Sequence, residues 1–111
     1  MKKLYFKYGA MNSGKTYEIL RTAHNYEENG YKVMIVKQFF DKKGENSIVS
    51  RVGLSRQVDI LLKEDEFVSN FIDDNIPTVI LVDEAEFFTK EQIDDLLFIT
   101  RKKDIDVFCY G

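Results

Sequence analysis

At 111 residues, 44% hydrophobic and 14% aromatic, the chain suits one compact domain with a real core, which excludes a disordered protein. Its net charge is −3 and no basic block stands out, which argues against nucleic acid as a partner and leaves a small anionic ligand open. No apolar run approaches the roughly 18 residues of a membrane span, and the single cysteine, Cys109, can neither close a disulfide nor hold zinc alone; the composition reads as soluble and cytoplasmic, with no membrane partner.

The chain alternates short apolar runs with amphipathic stretches. Leu4 to Tyr8 reads as a strand and runs into the glycine-bearing turn Gly9 to Gly14. From Lys15 to Asn29 the spacing of Ile19, Leu20, Ala23 and Tyr26 predicts a helix, and Gly30 supplies the left-handed residue that stops it. Val33 to Val36 is all apolar, as expected of a parallel strand covered on both faces. The pattern is lost from Phe39 to Val52, where Asp41 to Ser47 reads as a polar, mobile loop. A helix is expected from Glu64 to Asp73, with Phe67, Val68, Phe71 and Ile72 inward, and Pro77 ends it. Thr78 to Val82 is the next strand. Thr89 and Gln92 have the spacing of a capping box, opening a helix with Ile93, Leu96 and Leu97 inward. Asp106 to Tyr110 is the last strand. This alternation predicts an α/β fold, a P-loop NTPase-like parallel sheet flanked by helices, as one domain over residues 1–111. Its ligand site belongs at the carboxyl ends of the strands.

Two motifs fall at such ends. Gly9-Ala10-Met11-Asn12-Ser13-Gly14-Lys15-Thr16 fits G-x-x-x-x-G-K-[ST] in full and lies between a strand and a helix. Its glycines let successive N–H groups converge on one anion, and the helix start adds its positive dipole end. Lys15 can reach the β- and γ-phosphates of ATP, and the Thr16 hydroxyl can ligate Mg²⁺. The second motif is Val79-Ile80-Leu81-Val82-Asp83-Glu84, a buried strand ending in carboxylates. Asp83 can hold Mg²⁺ through its water shell and Glu84 can take a proton from an attacking oxygen. If that oxygen is water the protein is an ATPase; if it is a bound hydroxyl the protein is a kinase; a nucleotide-binding module without chemistry is the third reading. Phe87 and Phe88 follow directly, where a ring can stack on a nucleobase, although such a pair more often belongs to the core. His24 falls on the outer half of its helix and Cys109 in an apolar strand, so solvation and packing explain them.

Tyr8 to Thr16, Ser50-Arg51-Val52-Gly53-Leu54-Ser55, Val82-Asp83-Glu84-Ala85-Glu86-Phe87-Phe88 and Cys109-Tyr110-Gly111 together resemble successive blocks of the cellular-type, zinc-containing thymidine kinases, in the family's order and spacing. The resemblance covers essentially the whole chain. It implies transfer of the ATP γ-phosphate to the 5′-hydroxyl of thymidine in deoxynucleotide salvage. It further implies ATP contacts from Gly9, Ala10, Met11, Asn12, Ser13, Gly14, Lys15, Thr16, Asp83, Glu84, Ala85 and Glu86, with Glu84 as the base and with Met11 and Phe87 lining the thymine pocket. Thr16 and Asp83 would serve Mg²⁺, and the family is typically tetrameric and inhibited by its triphosphate end product.

The chain also departs from the family. Glu86 stands where most members carry Gln, an added negative charge beside the base. The usual Asp-x-Arg after the second strand is replaced by Phe40-Asp41-Lys42-Lys43. Asp41 and Lys43 can fill those roles, or a shifted register leaves only Lys42; lysine keeps the charge but loses the bidentate grip. Family members continue past Gly111 into a segment with a structural zinc and the loop that folds over thymidine, and neither is expected within these 111 residues. The chain alone is therefore expected to bind Mg-ATP, to self-associate through apolar surface beside its last strand, and to phosphorylate little thymidine.

Overall fold

A computed structural model describes residues 3–7, 14–39, 47–49 and 55–111. Its elements are β1 (Leu4–Lys7), α1 (Lys15–Glu28), β2 (Val33–Gln38), β3 (Ser47–Val49), β4 (Ser55–Gln57), β5 (Ile60–Leu62), β6 (Val79–Asp83), α2 (Lys90–Lys102) and β7 (Asp106–Tyr110). Five strands form one parallel sheet in the order β1-β7-β6-β2-β5, and β3 pairs antiparallel with β4. This is the expected α/β architecture.

The two faces of the sheet are covered by different helices, because successive side chains on a strand point to opposite sides. On one face, Val33, Ile35, Val79, Leu81 and Tyr110 pack against Ile19, Leu20 and Ala23 of α1. On the other, Met34, Val36, Ile80, Val82, Val107 and Cys109 pack with Leu96 and Ile99 of α2. Each fully buried Leu or Ile contributes about 1.5–3 kcal/mol relative to exposure. Helix α1 thus lies over β2 and β6 rather than over β1, the strand that precedes it.

Helix ends follow from local chemistry. Gly14 begins α1 at φ 85°, a left-handed conformation that disfavours a side chain, and its carbonyl accepts from Glu18 N–H at 2.9 Å. Gly30, at φ 81°, ends it. The capping box is present in full: Thr89 Oγ1 accepts from Gln92 N–H at 3.1 Å, and Gln92 Oε1 accepts from Thr89 N–H at 3.0 Å.

Three expectations are corrected. The stretch from Glu64 to Asp73 is not an α-helix; only Val68–Phe71 forms a 3-10 turn. Val68 and Ile72 are buried as expected, but Phe71 is exposed and Phe67 is only partly covered. The reason lies in Gln92, whose buried Nε2 donates to the carbonyls of both Lys63 and Glu66 at 2.9 Å, taking acceptors that a helix would have used. Strand β3 lies within the stretch Phe39 to Val52 where the pattern is lost, and its partner β4, like β5 beside β2, falls between Val52 and Glu64, where no element was expected; residues 41–46 of the expected loop lie outside the described residues. Finally, β7 is not an open edge: it lies between β1 and β6, with Val107, Cys109 and Tyr110 buried. The sheet's outer strands are β1 and β5, and Tyr5 and Phe6 of β1 are exposed.

Candidate active site

Because α1 crosses the sheet over β6, its first residue lies above the carboxyl end of that strand. Lys15 Nζ stands 4.0 Å from Glu86 Oε2, just beyond β6. The strand's alternation continues through Val79 and Leu81 to Asp83, which therefore faces the α1 side. Lys37 is the register partner of Asp83 on β2 and extends the same face beyond Val33 and Ile35.

Asp83 is buried. Burial, and then the charge of Glu84, hold its carboxyl above the usual carboxylate range, while Lys37, the Glu84 N–H and Lys15 pull it back. Its Oδ1 accepts that Glu84 N–H at 2.9 Å. Glu84 itself adopts φ 55° and ψ 43°, the left-handed region where a side chain meets its own backbone. Such a conformation costs about 1–2 kcal/mol outside glycine. It turns the chain sharply at the strand end into a 3-10 turn, Ala85–Phe87, held by Phe87 N–H to Glu84 O and Phe88 N–H to Ala85 O, both at 3.0 Å. Glu84 Oε2 is buried with no hydrogen-bond partner among the described residues. A buried carboxylate oxygen without a donor is expensive, and such atoms recur at catalytic positions.

The aromatic pair is divided by the turn. Phe88 enters the core beside Leu96, whereas Phe87 is 54% exposed at the mouth of the site. Thr16 is half-buried in the first turn of α1. Glycine-loop residues Gly9, Ala10, Met11, Asn12 and Ser13 lie outside the described residues, as do Asp41, Lys42 and Lys43. His24 is solvent-exposed and pairs with Glu28 at 3.0 Å, and burial pushes the Cys109 thiol up to about 12, in keeping with solvation of the first and packing of the second.

The described residues hold no group of three or more His, Cys, Asp or Glu able to bind a metal unaided. A buried aspartate followed by a donor-less glutamate oxygen still suits Mg²⁺, which keeps most of its waters and takes one or two carboxylates plus phosphate oxygens. Among the described residues no helix is long and apolar enough to cross a membrane.

Sequence reasoning missed Lys37 and Gln38. Lys37 had a readable signal, a cation at the carboxyl end of an otherwise apolar strand. Gln38 is buried with its Oε1 lacking a hydrogen-bond partner among the described residues; a polar residue directly beyond an apolar run gives no sequence sign of being enclosed.

A parallel α/β sheet with a lysine at the head of its first helix and carboxylates at the end of a central strand defines the P-loop class of proteins. The family model for thymidine kinase matches residues 2–111. The chain is 41% identical to a thymidine kinase of Francisella tularensis subsp. tularensis over 115 residues, covering all of this chain and 58% of the relative. It is 39% identical to one of Streptococcus agalactiae and 35% identical to one of Shewanella oneidensis, covering all of this chain and 60% of each. The chain belongs to the thymidine kinase family and spans about three fifths of the length of these curated relatives.

Proposed function

We propose that this chain is the ATP-binding domain of an enzyme that transfers the ATP γ-phosphate to the 5′-hydroxyl of thymidine. The observation that carries the reading is the convergence of Lys15 with the carboxylates at the end of β6, brought together by the path of α1 across the sheet. In this reading the backbone of residues 9–14 cradles the phosphates and Lys15 meets the β- and γ-phosphates. Ala85 and Glu86 border the nucleotide, and Met11 and Phe87 line the thymine pocket.

Thr16 and Asp83 are the residues that would hold Mg²⁺, which when bound neutralises phosphate charge. The Glu84 carboxylate accepts the proton of the 5′-hydroxyl, and its Oε2 is suited to that task because no donor among the described residues competes for it. The strained turn fixes its aim. The raised Asp83 carboxyl is brought back toward the ionised form by cationic neighbours, Lys15 and Lys37. Function in the cytoplasm, as a homo-oligomer and tetramer, accords with the family assignment.

The test is product analysis of the complete protein with ATP, Mg²⁺ and thymidine, for wild type and Glu84→Gln. Thymidine 5′-monophosphate should form with wild type, and Glu84→Gln should transfer phosphate about 10²–10⁴-fold more slowly. ADP release independent of thymidine would mean that Glu84 activates water instead, and normal turnover by the variant would move the base elsewhere.

A further inference from the structure

Glu86 has its ion-pair contact with the lysine of the phosphate loop. The pair is 4.0 Å apart, and its side chains are 25% exposed for Lys15 and 44% for Glu86. The carboxylate is presented by a turn whose frame is set by two backbone hydrogen bonds and by the buried side chains of Ala85 and Phe88. It therefore stands at the ammonium group that a nucleotide's phosphates would need to approach.

Resting on the phosphate-seat reading above, we propose that Glu86 is an internal competitor for Lys15 that sets nucleotide affinity at this site. A phosphate oxygen bonded to Lys15 sits about 2.7–2.9 Å from its nitrogen. Glu86 then becomes a like charge a few ångströms from the phosphate, or swings into solvent and loses its cation. Either course subtracts from binding. The subtraction is modest, because a half-exposed carboxylate is well screened and free to move.

This competition has a chemical signature. A P-loop lysine reaches the β- and γ-phosphates but not the α-phosphate. Removing the Glu86 charge should therefore help ATP and ADP and leave AMP alone. A surface charge acting at long range would shift all three, and a structural role for Glu86 would weaken them. Gln is the informative replacement, since it keeps the shape of the side chain and discards only the charge.

The experiment is calorimetric titration of wild type and Glu86→Gln with ATP, ADP and AMP at low ionic strength. Glu86→Gln should bind ATP and ADP about three- to fivefold more tightly and AMP equally well, with the gain shrinking as salt is added. Unchanged ATP affinity in the variant, or an equal gain for AMP, overturns the competition while leaving the phosphate seat intact. Wild-type protein that takes up no ATP overturns the phosphate seat and the competition together.

Discussion

Glu84 is proposed as the base, yet two features of its setting oppose folding, so removing it should make the protein more stable. Its backbone is left-handed, at φ 55°, which costs about 1–2 kcal/mol for a residue with a Cβ. Its Oε2 is buried with no donor among the described residues, and an orphan acceptor of this kind costs about 1 kcal/mol. Glu84→Gly relieves both, and loses about 0.5–1 kcal/mol to the greater freedom of glycine in the unfolded chain. The net expectation is a gain of about 1.5 kcal/mol, or a rise of about 1 M in the urea midpoint of the nucleotide-free protein. Glu84→Ala separates the parts: it removes the orphan oxygen but keeps the backbone strain, and should fall about 0.5–1 kcal/mol below Glu84→Gly. Urea unfolding followed by circular dichroism measures all three proteins. A Glu84→Gly protein less stable than wild type, or no more stable than Glu84→Ala, refutes the reasoning.

Lys15→Ala should abolish measurable ATP binding by calorimetry while the urea midpoint stays near wild type, because Lys15 makes its contact at the site and not in the core. Gln92→Ala should destabilise the protein by about 3–4 kcal/mol in urea unfolding, since three buried hydrogen bonds from one side chain are lost and a cavity is left. Alkaline stability should reflect Cys109. Its thiol ionises only near 12 in the fold against 9.0 when free, so the folded state holds the proton longer and stability falls as pH rises through that window. At pH 10 this amounts to about 1.4 kcal/mol, and Cys109→Ala should flatten the pH dependence of the urea midpoint between pH 9 and 11.

Sequence made visible those elements whose local signals and tertiary environment agree. Helix α1 was readable because Ile19, Leu20 and Ala23 fall at helical spacing and Gly30 stops it; α2 because Thr89 and Gln92 cap it; and β6 because five apolar-to-acidic residues run without interruption. The segment Glu64–Asp73 misled because Phe67, Val68, Phe71 and Ile72 mimic a helical stripe, while the deciding influence is Gln92, 29 and 26 residues from the two carbonyls it holds. A side chain that collects two carbonyls from a distant segment leaves no periodic trace. Strand β5 escaped for another reason. It is three residues long, and its approach is set by Asp59, whose Oδ2 accepts from Ile35 N–H at 2.7 Å and from Arg56 Nη1 at 2.9 Å. At the candidate site, residue types and their spacing pointed to Lys15, Asp83 and Glu84. The contact of Glu86 with Lys15 depends on where α1 crosses the sheet, which spacing alone does not reveal.

The position of β7 has a bearing on how the protein is made. Lys3 N–H donates to Asp106 Oδ1 across 103 residues, and among the described residues β1 joins the sheet through β7 alone. On a ribosome adding about 5–20 residues per second, β1 waits on the order of 5–20 s for that neighbour to be synthesised. Strands β2 and β6, with α1 above them, can meet earlier. The segment carrying the glycine loop is then tethered at its helical end but not at its strand end until Tyr110 has emerged. A nascent chain should therefore gain its central layer first and its β1 edge last, with Tyr5 and Phe6 open to chaperones in the interval.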